Sequence, residues 1–437
     1  GTLFDQGQLP DLNTKIGEIV PSLRASAYGD ATLRNVLQMS SGVAFNAELA
    51  GLRFLGGPTT DQIEANTFSH MNESIDIYNN SWGFNVTYVG IGPLATAALQ
   101  SNSSSITGGG RNNLGNVYVF SAGNGAREGF NSNYEGVAAS PFTIAVGTID
   151  DRGEKAVYSE PGANVFVVAN ADGISTTDNV GDAGSSRYRG DPTDIIPPDD
   201  PSNYVDDFNG TSAAAPVVSG VIGLMLDANP NLTYRDIQHI LVRSARMNDP
   251  SDAGWRQNSA GHQVNHNYGF GAVDAEGAVA LALNWTRVRP EVTFATGGDA
   301  LTTDIPDNDP NGVTITINVP DAGEGGEDLT TFSAEHVQLQ FSTDHTFRGD
   351  LQITLTSPSG TTSVLATPHG GDPGAINNWL YDTVHHWDEG IVGDWTVRVS
   401  DNSANDTGQV TGAQLIFRGT GVVGVDPNPI LPPPGVF

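Results

Sequence analysis

Phe208-Asn209-Gly210-Thr211-Ser212-Ala213-Ala214-Ala215-Pro216, running into Val217-Val218-Ser219-Gly220-Val221-Ile222-Gly223-Leu224-Met225-Leu226, is the stretch on which the fold turns. It reads as a tight turn that delivers one serine to the start of a helix. Gly210 permits the turn, because a residue without Cβ enters positive-φ conformations at little cost. The small residues at 213 to 215 leave open space beside Ser212. Pro216 fits a first helical turn, where a missing N–H has no partner to lose. Beyond it the pattern is apolar on every side, so the helix is expected to be buried rather than amphipathic. Ser212 is expected to cap this helix. A serine held there sits in a positive field, which suits a nucleophile whose product is an oxyanion.

Working outward, Ser74-Ile75-Asp76-Ile77-Tyr78, Val117-Tyr118-Val119-Phe120-Ser121-Ala122, Phe142-Thr143-Ile144-Ala145-Val146 and Val165-Phe166-Val167-Val168 are apolar runs of strand length. The stretch Val43 to Leu55 ends in a short apolar strand pattern, and Leu33 to Leu37 looks helical. One helix opens at Pro58-Thr59-Thr60-Asp61, with Thr60 or Asp61 as cap and Glu64 in the first turn. Another lies around Pro93 to Gln100. Strands alternating with helices imply a parallel sheet covered on both faces. Sites in such sheets form beyond the carboxyl ends of strands, where Trp82 and Asn124 fall. Asp178 to Asp207 reads as a polar loop, and Leu232 to Met247 as an amphipathic helix capped by Asn231 or Thr233. An Ala-rich helix ends near Trp285.

The pattern then changes. From Val292 to Gly421 it is β throughout: Val337, Leu339 and Phe341 alternate with Gln338 and Gln340, and Leu351-Gln352-Ile353-Thr354-Leu355-Thr356 runs into a Ser357-Pro358-Ser359-Gly360 turn. Short strands at turn-punctuated spacing indicate a sandwich or jelly roll. The expected organisation is an α/β domain over 1–286, a β-sandwich over 287–421 and a Pro-rich tail or linker over 422–437.

Composition bounds the partners. The formal charge is −31, and Lys15 and Lys155 are the only lysines. That field argues against nucleic acid and anionic membrane. No run of 18 apolar residues stands in the sequence, so no membrane insertion is expected. Without cysteine, packed cores, with or without bound metal, must supply the stability. Gly1 is not a methionine and no signal sequence follows it, so a processed or excised piece is expected.

Gly210-Thr211-Ser212-Ala213, Pro216 and the buried helix resemble the nucleophile motif of subtilisin-like serine proteases. Three stretches resemble their kexin/furin-like branch: Ile75 to Gly83, Ser121-Ala122-Gly123-Asn124-Gly125-Ala126-Arg127-Glu128, and Val157-Tyr158-Ser159-Glu160. The β region resembles the P domain of that branch through Arg348-Gly349-Asp350-Leu351, Ser357-Pro358-Ser359-Gly360 and Gly393-Asp394-Trp395-Thr396. Its Arg-Gly-Asp triplet is therefore expected to be structural rather than an integrin ligand. The resemblance implies a subtilisin-like parallel sheet followed by a jelly-roll P domain, and a secreted, monomeric serine endopeptidase acting on polypeptides. It implies Ser212 as nucleophile and Asn124 in the oxyanion hole. Ser81, Trp82 and Gly83 would bind substrate, Glu135 would line the P1 pocket, and Glu160 would be a ligand of structural calcium. A single acid at Glu135 would favour a cationic P1 side chain. The further acids expected after Gly83 are replaced by Phe84-Asn85-Val86.

The family's Ser-His-Asp triad is not complete in this sequence. The expected histidine, in His-Gly-Thr, and the expected Asp-Asp-Gly or Asp-Ser-Gly do not occur. His70 comes too late, and Asp5-Gln6-Gly7 with Asp11 is only a shortened echo of the aspartate motif. A serine without a base stays protonated and reacts poorly. Three readings stay open: a piece of an active protease, a catalytically silent relative that binds peptides, or a first segment that supplies its own base.

Overall fold

A computed structural model describes residues 47–52, 54, 59–105, 108–177, 204–323 and 326–422. Asp5, Asp11, Leu33 to Leu37, much of the Val43 to Leu55 pattern and nearly all of the Pro-rich tail lie outside the described residues.

Four parallel strands form the central sheet in the order β1 Ile77–Asn80, β2 Val117–Ser121, β3 Thr143–Ile149 and β4 Val165–Asn170. β2 and β3 are buried at every residue, as strands covered on both faces must be. Helices α1 Asp61–Phe68 and α2 Pro93–Ser103 cover one face, where Phe68, Ala95 and Leu99 share a core with Tyr78, Tyr118 and Phe120. Helices α3 Thr211–Ala228, α4 Tyr234–Ser244 and α5 Ala275–Ala282 cover the other, joining Val218, Ile222, Ile237 and Ala278 to Val119, Val146 and Val167. Thr60 caps α1 by accepting the Ile63 N–H. Thr233 and Asp236 form a reciprocal capping box on α4. α3 is long and apolar enough to cross a bilayer, but it is packed in this core.

The structure corrects three expectations. Tyr204 to Asp207 are not loop: β5 Asp172–Thr177 and β6 Tyr204–Asn209 pair antiparallel, and β6 runs straight into Gly210. Gly210, not Ser212, is the N-cap of α3, at φ +116°. Pro216 therefore lies inside the helix, beyond its first turn.

The β region is two facing sheets. One runs β8 Asp299–Ile305, β15 Gly408–Val422, β10 Asp328–Thr343, β13 Ile376–Thr383, with β7 Val292–Ala295 also on β15. The other runs β9 Val313–Val319, β14 Gly393–Asp401, β11 Leu351–Thr356, β12 Thr362–Ala366. Leu351, Ile353 and Leu355 are buried while Gln352, Thr354 and Thr356 are half-buried, the alternation that their sequence announced.

The two parts exchange core residues. Val384 and Trp387 belong to the α/β core, and Tyr134 and Ala163 to the β core. Buried polar pairs cross the seam. Arg235 Nε donates to Glu335 Oε2 at 2.7 Å, and His239 pairs with Glu335 at 2.8 Å. Asn133 Nδ2 donates to the Asp382 carbonyl at 3.0 Å. Arg348 is held by Asp372 at 2.8 Å and lies over the Tyr88 ring at 4.4 Å, while Asp350 is buried. The Arg-Gly-Asp triplet is thus committed inside the protein.

Candidate active site

The candidate residues gather beyond the carboxyl ends of β1 and β2, beside the N-terminus of α3. β1 ends at Asn80 and delivers Ser81, Trp82 and Gly83; β2 ends at Ser121 and delivers Gly123, Asn124 and Gly125. Ser212 is second in α3, so its N–H is among those with no partner inside the helix.

Pro216 shapes the surroundings of Ser212. In a regular helix the N–H of residue 216 would bond to the carbonyl of Ser212, and proline has none. Ser81 Oγ supplies the missing donor, reaching the Ser212 carbonyl at 2.7 Å. Asn79 Nδ2 donates to Ser81 Oγ at 2.9 Å, and Asn79 Oδ1 accepts from Ser219 Oγ at 3.1 Å. Ser81, expected on the substrate strand, thus also anchors the helix turn carrying the serine. Ser212 Oγ itself donates to the Ser81 carbonyl at 3.3 Å.

Asn124 is fixed by Thr211. Its Oδ1 accepts from Thr211 N and from Thr211 Oγ1, each at 2.9 Å. Gly123 N donates to the same Thr211 oxygen at 3.3 Å. Both bonds use the acceptor end of the amide, so the donor end, Nδ2, is left for the cleft that Asn124 faces as an exposed residue. Asn124 is thereby held to the residue that precedes Ser212. Thr211 was not singled out from the sequence, although it stands within the motif.

Glu135 lies beneath the Ser81–Gly83 segment. Its Oε1 accepts the Phe84 N–H at 2.6 Å, and its Oε2 is buried without a partner. A Cβ on Gly83 would stand 2.8 Å from that oxygen, so any larger residue there would push the carboxylate aside. Burial pushes the Glu135 carboxyl up to about 7, against the pull of the Phe84 N–H. Glu160 supports the second wall: its Oε1 accepts the Gly125 N–H at 2.8 Å, and a Cβ on Gly123 would overlap its carboxylate. Burial, opposed by that bond and aided by the charge of Glu135, pushes Glu160 up to about 8. Trp82 packs by its ring against Phe54, Phe84 and Phe120.

His70, which comes too late in the sequence to be the family's base, lies on the turn after α1, where its carbonyl accepts the Tyr78 hydroxyl at 2.6 Å. Among the described residues, no group of three or more His, Asp and Glu side chains is arranged around a metal position. The observation that bears on calcium is the orphaned Glu135 oxygen near a second buried carboxylate. A hard cation matches oxygen donors of that kind.

A serine at the head of a buried helix, an amide fixed beside it at the carboxyl edge of a parallel sheet, and a β-sandwich docked through a shared core define a subtilisin-like α/β domain with an appended β module. Residues 24–271 match the subtilase family, and residues 334–417 match the proprotein convertase P-domain. The chain is 35% identical over 373 residues to PC3-like endoprotease variant B of Hydra vulgaris, covering 84% of this chain and 49% of that protein. It is 34% identical over 394 residues to rat (Rattus norvegicus) furin, covering 89% of this chain and 46% of furin. The crystal structure of the serine protease of Aeromonas sobria has the same fold, with a TM-score of 0.69 and 21% identity over 83% of this chain and 74% of that one. The chain belongs to the subtilase family, in its proprotein convertase branch with a P domain. It spans about half the length of the two curated relatives named here.

Proposed function

We propose that the chain is the peptidase part of a secreted serine endopeptidase that cleaves polypeptides through an acyl-enzyme on Ser212. The observation that carries this is the fixed amide of Asn124, held by Thr211 one residue before the serine. In this reading the Ser212 oxygen attacks the scissile carbonyl and its proton passes to a base. Asn124 Nδ2 and the Ser212 N–H hold the resulting oxyanion, and the leaving amine takes the proton. Among the described residues the hydrogen-bond partner of Ser212 Oγ is the Ser81 carbonyl, so this reading requires a base from elsewhere. Ser81, Trp82 and Gly83 line the substrate strand, and Glu135 gives the P1 pocket a preference for a cationic side chain. Glu160, with Glu135 nearby, would hold a structural calcium that tethers the two pocket walls. The peptidase domain is taken as 1–286 and the P domain as 287–421, working as a monomer.

The same carbonyl contact favours a second reading, a peptide-binding relative whose serine is not activated. A fluorophosphonate probe separates the two. Labelling at Ser212, lost in Ser212→Ala and slowed about 10²–10³-fold in Asn124→Ala, is the expected result. No labelling of the folded chain would leave the binding module as the better account.

A further inference from the structure

Tyr158 stands in the Val157-Tyr158-Ser159-Glu160 stretch, between the serine turn and the asparagine loop. Its hydroxyl accepts the Gly210 N–H at 2.9 Å and donates to Asp172 Oδ1 at 3.1 Å. Gly210 is the N-cap of α3, at a φ of +116° that other residues rarely adopt. Its position sets that of Thr211, which holds Asn124, and of Ser212. The tyrosine's own backbone grips the other half of the site. The Tyr158 carbonyl accepts the Ala126 N–H at 3.1 Å, and two residues on Glu160 N donates to the Gly123 carbonyl at 3.1 Å. The Glu160 carboxylate takes the Gly125 N–H at 2.8 Å. The strap Tyr158-Ser159-Glu160 therefore carries three bonds to the asparagine loop and one, through a single hydroxyl, to the serine turn. That hydroxyl is the strap's side-chain link to the turn, and it reaches across 52 residues of sequence.

We propose that the Tyr158 hydroxyl, oriented by Asp172, is a positioning group that fixes the serine turn against the asparagine loop. The proposal rests on the endopeptidase reading for its catalytic consequence, but not for its geometry. Tyr158 does not touch the reacting atoms. It acts through Gly210, so removing it should loosen the spacing between Ser212 and the oxyanion donors, while the two Ser81–Ser212 bonds keep the serine against the substrate strand. Misplacement of that kind is paid in the transition state rather than in substrate binding.

The test compares the wild-type chain with Tyr158→Phe, which deletes one oxygen, and with Asp172→Asn, which keeps an acceptor for the tyrosine. Fluorophosphonate titration counts reactive serines, so that kcat is expressed per titrated site. Tyr158→Phe is expected to lower kcat per site about tenfold with KM within about twofold. Affinity for a peptide boronate should fall by the same factor, and affinity for the cleaved peptide product should stay unchanged. Asp172→Asn should show a smaller loss in the same direction. Independently, hydrogen exchange of the segment around Gly210 is expected to accelerate at least about tenfold in Tyr158→Phe, with β3 unaffected. An unchanged kcat per site with fewer titratable sites would show a merely structural tyrosine and overturn the proposal. Unchanged exchange at Gly210 would overturn it as well. Should the wild-type chain not label at all, the endopeptidase reading fails while the exchange measurement still decides this one.

Discussion

Two histidines at the seam between the domains set a test of how the molecule tolerates acid. His266 and His385 lie where the segments around Gly162 and Val384 meet: Gly162 N donates to the His266 carbonyl, and Val384 N to the Ala163 carbonyl. Both ring nitrogens of His266 and Nε2 of His385 are buried without hydrogen-bond partners. Burial, with Lys155 adding repulsion, lowers His266 from 6.5 to about 4. Burial, with His266 and His386 adding repulsion, lowers His385 to about 3. A folded value below the unfolded one means no effect above pH 6.5 and a growing loss of stability as the pH falls toward the folded values. At pH 4.5 each ring forgoes about two pH units of proton binding that the unfolded chain gains. That is about 2.7 kcal/mol per ring at 1.36 kcal/mol per unit, or about 5 kcal/mol for the pair.

The whole-protein profile will not show this directly. Glu135 and Glu160, raised to about 7 and about 8, favour the folded state progressively as pH falls from those values to 4.5. Their gain over the same window is of similar size and opposite sign. The quantity to measure is therefore the difference between the wild type and the double variant His266→Asn/His385→Gln. Urea unfolding followed by tryptophan fluorescence is the assay, since Trp387 lies at the seam against Phe166 and Phe270. Between pH 7.5 and pH 4.5 the variant is expected to gain about 5 kcal/mol on the wild type, whatever its starting deficit. A difference constant to within about 1 kcal/mol over that range would refute the assignment of acid sensitivity to these rings.

Calcium at millimolar concentration is expected to raise the melting temperature, and a chelator to lower it, because a ligand that binds only the folded state stabilises it by RT ln(1 + [L]/Kd). The response should grow as the pH rises through about 8, where the Glu160 carboxyl ionises and becomes able to ligate, and Glu160→Gln should lose part of it; a melting curve indifferent to both reagents would rule the metal out. Glu335→Ala should destabilise the protein by about 3–5 kcal/mol, since it strands the Arg235 guanidinium in the seam. Chemical denaturation reads that loss, and a change under about 1 kcal/mol would mean that water replaces the carboxylate at no cost.

Much of the fold could be read because its signals are local. The turn at Gly210, the capping residues Thr60 and Thr233 and the alternation along Leu351 to Thr356 each depend on neighbours within a few positions, and each appears where the sequence put it. Errors arose where local chemistry was ambiguous. Tyr204 to Asp207 stand at the end of a polar run and show no alternation, so a strand that pairs with Asp172–Thr177 read as loop. Pro216 looked like a first-turn proline because the rule considers only the helix's own bonds. The carbonyl that it leaves free is satisfied by Ser81 Oγ, 131 positions away in sequence.

The same distinction explains what the sequence could say about the site. Ser212 and Asn124 stand in motifs whose turn chemistry is self-contained, and the fold joins them through Thr211. The seam has no such motif. Arg235 meets Glu335 across 100 positions, Tyr134 meets Thr367 across 233, and Asn133 meets Asp382 across 249. In the sequence Trp387 is one aromatic among the strands of a β region, yet it completes a core built on the parallel sheet, packed against Phe166 and Phe270. A buried arginine and a core tryptophan supplied by opposite sides make each part a component of the other's interior. Loosening the P domain therefore exposes Phe166 on β4 and Phe270 in the α/β core. Among the described residues the P domain packs on the sheet and helices that hold Ser81, Asn124 and Ser212 and contributes no side chain to the hydrogen bonds around Ser212.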